Sequence, residues 1–294
     1  MEPGRPSRTA LGAAFHRAAH QVLEGGVVFR DPLALRILGP DADAAVRRAR
    51  EDPSGRRLRL FVALRSRFAE DRLAEALGQG VRQVVVLGAG LGTLAYRTVF
   101  GSGVRVFEVD HPSTQAWKRR RLAEVGIPEP AWLTFAPVDF ERETLGEGLG
   151  AAGFDPALRS FFTWLGVVPY LTGEAVFATL GFIAALPGGG EVVFDYANPP
   201  APGEDTSARD GLARRVAAAG EPFRSHFHTP DLHTRLEALG FRTIEDLGPR
   251  LIRERFFPAF PPPASDQGGH VVRAARLPRG SWGGELIGSS QIPQ

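Results

Sequence analysis

Apolar residues recur at helical spacing from Ala10 to Leu23, at Leu11, Ala14, Phe15, Ala18, Ala19 and Val22, and predict an amphipathic first helix. A short helix ending at Leu38 follows, with Asp31-Pro32 as its start signal and Gly39-Pro40 as its stop. After a second acidic turn, an apolar stripe from Leu58 to Leu77 predicts a longer helix. Beyond residue 80 the pattern changes. Short apolar runs at about 83–88, 104–109, 132–136, 160–166 and 190–196 read as strands, separated by helical stretches at about 91–100, 112–125, 141–152 and 173–186. A helix at 229–239, a strand at 241–246 and a last strand at 269–275 complete the pattern. Such alternation predicts an α/β fold built on a doubly wound sheet. The proline-rich and polar stretch 197–222 interrupts it after the fifth strand, where an insertion overlies the ligand crevice of an open sheet, so a lid is expected over about 197–228. The first ten residues read as a mobile start and 278–294 as a disordered tail.

Composition narrows the class. A chain of 294 residues with 43% hydrophobic content suits one large domain with elaborations. The formal charge is +2, and the basic residues, nearly all Arg, are scattered among acids, so no nucleic-acid partner is expected. The absence of Cys removes disulfides, thiol nucleophiles and thiolate metal sites. The N-terminal stretch has no secretory apolar core, and no apolar run reaches the ~18 residues of a membrane span, so a cytoplasmic protein without membrane attachment is expected.

The candidate chemistry centres on Val81 to Arg97, VRQVVVLGAGLGTLAYR, and on Val104 to Pro112, VRVFEVDHP. The first strand breaks into Gly88-Ala89-Gly90-Leu91-Gly92, and the second ends in Asp110. Glycines let backbone approach a ligand, and a carboxylate about twenty residues later can chelate a ribose diol. A dinucleotide fingerprint would place its third glycine at position 93, which is Thr. After the third strand comes Asp139-Phe140, an acid for an exocyclic amine beside an apolar side chain for a purine ring. Ribose and base recognition with the phosphate spacing wrong points to S-adenosylmethionine.

Taken in order, VVVLGAGLGTLAYR, FEVDHPSTQAWK, LTFAPVDFE, GFDPALRSFFTWLGVVPYLT and GGEVVFDY resemble the leucine carboxyl methyltransferase-like family, and most of all its bacterial branch of S-adenosylmethionine-dependent methyltransferases. The resemblance runs from about Thr9 to Phe260. It implies a Rossmann-like class I methyltransferase fold, a mostly parallel seven-stranded sheet under a helical N-terminal cover, here residues 1–80, with 81–277 as the core. By motif matching it places Arg65 on the methionine carboxylate, Gly88, Ala89 and Gly90 in the turn, Asp110 on the ribose, and Asp139 with Phe140 on adenine. Lys118 matches a family lysine and is expected to pair with Glu108 or Asp110. Two departures stand out: Gly92 replaces an Asp that usually follows the glycine turn, and Leu165 stands where the eukaryotic enzymes have an acid.

The reading is a methyltransferase acting on a carboxylate or hydroxyl of a small metabolite, with a polyketide-like acceptor suggested by the resemblance. The alternative is a protein of the same fold that binds the cofactor with little or no catalysis. A hydroxyl acceptor needs a base, and His226 and His228 are the weak candidates for it. Tyr170 and Tyr196, at the carboxyl ends of strands, are the substrate-side candidates. His16 and His20 have metal-ligand spacing without a partner acid motif, so no metal is expected.

Overall fold

A computed structural model of the chain describes residues 7–276 except 141, 202, 204, 205, 219 and 264. Its centre is a seven-stranded sheet in the order β3-β2-β1-β4-β5-β7-β6. The strands are β1 (Gln83–Leu87), β2 (Arg105–Asp110), β3 (Leu133–Pro137), β4 (Ser160–Trp164), β5 (Gly190–Ala197), β6 (Thr243–Leu247) and β7 (Gly269–Arg276). Every pairing is parallel except the two made by β7. Strands covered on both faces must be apolar on both, which is why β1, β4 and β5 read as continuous rather than alternating runs. Side chains from alternate positions enter two separate clusters: Phe162 and Phe194 on one face, Phe161 and Val193 on the other. Truncating any one of these buried rings to Ala would cost about 3–5 kcal/mol.

Helices α1 (Arg8–Leu23), α2 (Ala34–Leu38) and α3 (Ala42–Glu51) lie ahead of the long α4 (Arg56–Gly78). Ala14 and Ala18 of α1 pack with Ile37, Leu38, Ala45 and Leu91, which brings this group of helices onto the glycine turn. The proposed cover of residues 1–80 therefore needs correcting at its last helix. Ala63, Leu64 and Phe68 of α4 share a cluster with Val84, Val106, Phe161 and Val193, so α4 is one of the sheet's own layers.

The remaining helices are α5 (Leu94–Arg97), α6 (Pro112–Glu124), α7 (Leu145–Ala151), α8 (Gly173–Ala185), α9 (Ser207–Ala218), α10 (Thr229–Leu239) and α11 (Pro249–Phe256). Most match the pattern reading. α5 is shorter than expected because residues 91–93 are spent in the glycine turn. α3 and α11 escape the reading because each buries so little of itself, Ala45 and Val46 in one and Ile252 in the other. The expected tail, 278–294, and the first six residues lie outside the described residues.

Candidate active site

Strands β1 and β4 are neighbours, but the chain leaves them toward opposite ends of the sheet, and that reversal opens a crevice at their carboxyl ends. Gly88 and Gly90 follow β1 with φ of +63° and +46°, a conformation that favours glycine. A Cβ at Gly88 would stand 2.4 Å from Val167 Cγ2, and one at Gly90 would stand 3.0 Å from Ala10 Cβ. The turn is thus bare backbone between the loop after β4 and the start of α1. The Ala89 N–H donates to the Val109 carbonyl at 3.1 Å, tying the turn to the end of β2. There the Asp110 carboxylate accepts from the Gly90 N–H at 2.6 Å and the His111 N–H at 2.7 Å. Burial raises the Asp110 pKa, and those two backbone donors partly offset the rise.

The Val138 N–H donates to the Asp110 carbonyl at 2.9 Å, which sets Asp139 and Phe140 next to Asp110. Phe140 is 61% exposed, an apolar side chain left facing outward. On the other side of the turn, Arg65 Nη1 donates to Asp195 Oδ2 at 2.8 Å, while Asp195 Oδ1 accepts from the Gly166 N–H at 2.6 Å. The Arg65 guanidinium lies flat against Gly166, where a Cβ would come within 2.5 Å of it. Asp195 had not been singled out from the sequence. A carboxylate on a strand buried along its whole length was the available signal. Leu165, in place of the acid of the eukaryotic enzymes, packs against the α4-side cluster.

Two buried polar networks hold the turn from behind. Lys118, 1% exposed, donates to Glu108 Oε2 at 2.7 Å and to the Gly92 carbonyl at 2.8 Å, so its expected partner is Glu108. Thr93 donates to Asp31 Oδ2 at 2.7 Å, and Arg17 and Arg97 flank the same carboxylate. Asp31 also accepts from the Leu33 N–H at 3.1 Å as the expected helix-start residue, but its larger part is this link between the α1–α2 loop and the turn. At Gly92 a Cβ would sit 2.8 Å from the Ala89 carbonyl oxygen, so the turn is built around a glycine there. Gly92→Asp, which restores the acid usual in the resembling family, is therefore expected to destabilise the fold by about 1–3 kcal/mol, read as a lower midpoint in urea unfolding.

The segment after β5 forms an arch that returns to the loop after β4. Its far end is fastened by Arg224 N–H to the Pro169 carbonyl (2.7 Å) and Ser225 Oγ to the Val168 carbonyl (2.9 Å), and the Thr9 N–H donates to Glu221 Oε2 at 3.1 Å. Tyr170 faces Phe223 with ring centroids 5.3 Å apart, and His226 meets the edge of the same Phe223 at 6.4 Å. His226 and His228 are both exposed while Phe227 between them packs against the core. Burial and Arg209 lower the His226 pKa. His228 is an exposed helix-cap residue with no side-chain cap bond.

Tyr196 has to be corrected as a substrate-side residue. It is 2% exposed and its hydroxyl is engaged by Thr229, Asp246 and His270. His20 is likewise internal, held by Glu24 and the Phe29 N–H. His16 is different: burial, and after it the charges of Arg59, Arg65 and Arg215, lower its pKa to about 4. Among the described residues no helix is long and apolar enough to cross a membrane.

The leucine carboxyl methyltransferase family matches residues 10–184. A Bacillus subtilis protein named "Putative S-adenosyl-L-methionine-dependent methyltransferase YktD" is 30% identical over 286 residues, covering 87% of this chain and 93% of its own. A Frankia alni protein of the same description is 36% identical over 196 residues, covering 65% of this chain and 68% of its own. Among solved structures, a "putative methyltransferase" from Thermobifida fusca aligns over 94% of this chain and 97% of its own with a TM-score of 0.56 at 17% identity, a likeness of fold.

Proposed function

The chain belongs to the leucine carboxyl methyltransferase family, and from that premise we propose that it methylates a carboxylate of a small acidic metabolite, with S-adenosyl-L-methionine as the donor. When bound, this cofactor supplies a methyl group on a cationic sulfur that leaves as a neutral thioether. The residues present fit it. Arg65 offers a guanidinium for the methionine carboxylate, Asp110 a carboxylate for the ribose diol, Asp139 and Phe140 an acid and an exposed aromatic side chain for adenine, and Gly88-Ala89-Gly90 a backbone with little side-chain bulk.

The state of His16, buried first and then acted on by nearby positive charge, is the observation that carries the acceptor class. Arg59, Arg65 and Arg215 all bear on an imidazole whose pKa of about 4 leaves it a poor proton acceptor at neutral pH. Tyr170, pushed up to about 12 mainly by burial, cannot serve as a base either. A hydroxyl acceptor would need its proton taken. A carboxylate arrives ionised and needs no base. The work left to the chain is to align the acceptor and exclude water, and the arch from Asn198 to His228 does the excluding.

The test is a screen of small carboxylic acids and phenols with donor labelled in the methyl group. Labelled product is expected to release volatile methanol on mild alkaline hydrolysis, as a methyl ester does. Label that survives alkali, as in a methyl ether, would overturn the carboxylate assignment.

A further inference from the structure

Away from the cofactor residues, a cluster of buried polar side chains joins β5, β6, β7 and α10. At its centre is Asn198, 2% exposed, the first residue of the arch after β5. Its Nδ2 donates to the Phe227 carbonyl and to Thr229 Oγ1, both at 3.0 Å, so one amide group grips both feet of the arch. The Phe227 N–H reinforces this by donating to the Ala197 carbonyl at 3.1 Å. On the arch itself, Arg209 of α9 donates to the Asn198 carbonyl.

Those two Nδ2 bonds fix which end of the amide is oxygen. Oδ1 then faces His270 Nε2 at 2.7 Å and the Gly268 N–H at 3.4 Å. An amide oxygen only accepts, so Nε2 must carry hydrogen, and the second group near it, the Asp266 carbonyl at 3.2 Å, is again an acceptor. The other ring nitrogen, Nδ1, lies 2.8 Å from Asp246 Oδ1. Asp246 also accepts from Tyr196 at 2.7 Å and stands 2.8 Å from His233 Nε2. These partners, His270 first, hold the Asp246 carboxyl below the usual range against the opposing effect of burial. The ring of His270, 3% exposed, is thus held between Asp246 and Asn198.

We propose that His270 is a positioning residue for methyl transfer: anchored on Asp246, it orients the Asn198 amide that pins both feet of the arch over the acceptor side of the crevice. Without the ring, Asn198 Oδ1 loses its 2.7 Å partner and the clamp loosens. The groups that face it are Asp246 on β6, Tyr196 on β5, His233 on α10, Asp266 ahead of β7 and Arg209 on the arch. Its place in methyl transfer rests on the proposed function, whereas the clamp itself does not.

The experiment uses the full chain. His270→Ala is expected to quicken amide hydrogen exchange in α9 and residues 222–228 about tenfold. Asn198→Ala should give the same faster exchange, and the two changes together no more than either alone, with binding of S-adenosylhomocysteine, measured by calorimetry, kept within about twofold. Exchange in the arch that follows neither His270 nor Asn198, or effects of the two changes that simply add, would overturn the proposal. Absence of cofactor binding in the unaltered protein would count against the proposed function and leave the clamp readouts intact.

Discussion

Asp110→Ala is expected to weaken binding of S-adenosylhomocysteine at least about a hundredfold, the loss of two hydrogen bonds to a charged acceptor at roughly 1.5–3 kcal/mol each. The carboxylate has two duties at this position. Its oxygens already take the Gly90 and His111 N–H groups at 2.6 Å and 2.7 Å, and their remaining lone pairs are what a ribose diol would use. Removing it leaves two backbone donors without a partner and frees the turn to change shape. Asp110→Asn separates the duties. One amide oxygen can still serve a backbone N–H, but the NH2 group meets the other donor head-on, so affinity should fall nearly as far while the fold is largely kept. Calorimetric titration gives the affinity, and urea unfolding reports whether the fold has survived. An unchanged dissociation constant in either variant would remove Asp110 from the cofactor site.

The same residue sets the acid limit of binding. Burial raises the Asp110 pKa, and the ribose hydroxyls need the ionised form to accept their hydrogens. Affinity is therefore lost as pH falls, beginning at a higher pH than an ordinary aspartate would give. For stability the sign is opposite. A raised folded-state pKa means the folded chain binds the proton more tightly than the unfolded one, so ionising Asp110 costs stability as pH rises through that window. Binding and stability should accordingly respond in opposite directions to pH on the acid side, a divergence visible by comparing titrations with unfolding curves.

The sheet and the glycine turn were legible because their signals are local. Fully buried parallel strands appear as unbroken apolar runs, and a turn needing positive φ appears as glycine. What was not legible depended on direction rather than position. Tyr196 and Asp195 are neighbours at the end of β5, and successive strand residues point to opposite faces. The face that takes Phe194 and Tyr196 is the one toward α8 and α10, which leaves Asp195 on the α4 side, within reach of Arg65. Reading Tyr196 as facing substrate chose the wrong parity. Asp31 was hidden differently. Its sequence setting before a proline fully accounts for a helix start, and nothing local announces that its second oxygen meets Thr93, 62 positions away. Phe140 was singled out on a local signal, an acid and then an apolar residue shortly after a strand, and it is exposed there.

Lys118→Met is expected to destabilise the protein by about 3–5 kcal/mol, because it leaves Glu108 buried without its counter-charge. Both members of the pair are about 1% exposed. Burial pushes Glu108 up and Lys118 down, and each pushes the other back. The 2.7 Å contact and the further bonds to the Gly92 carbonyl and from the Tyr96 hydroxyl hold the pair in place. Once the lysine is gone, Glu108 avoids the cost of a lone buried charge by keeping its proton in the folded state. The folded chain then binds more protons than the unfolded one above the ordinary glutamate range, and stability falls as pH rises. The deficit against the unaltered protein should thus widen from pH 5 to pH 8, measured as the difference in urea midpoints. Glu108→Leu added to Lys118→Met should recover most of the loss, since an apolar pair of similar volume needs no counter-charge. It should not recover cofactor affinity to the same degree. The Gly92 carbonyl would still lack the ammonium that holds the glycine turn from behind, and that difference separates the pair's structural role from its part in shaping the site. A double variant no more stable than the single one, or a deficit that stays flat with pH, would mean that the pair is held together by something other than mutual compensation of buried charge.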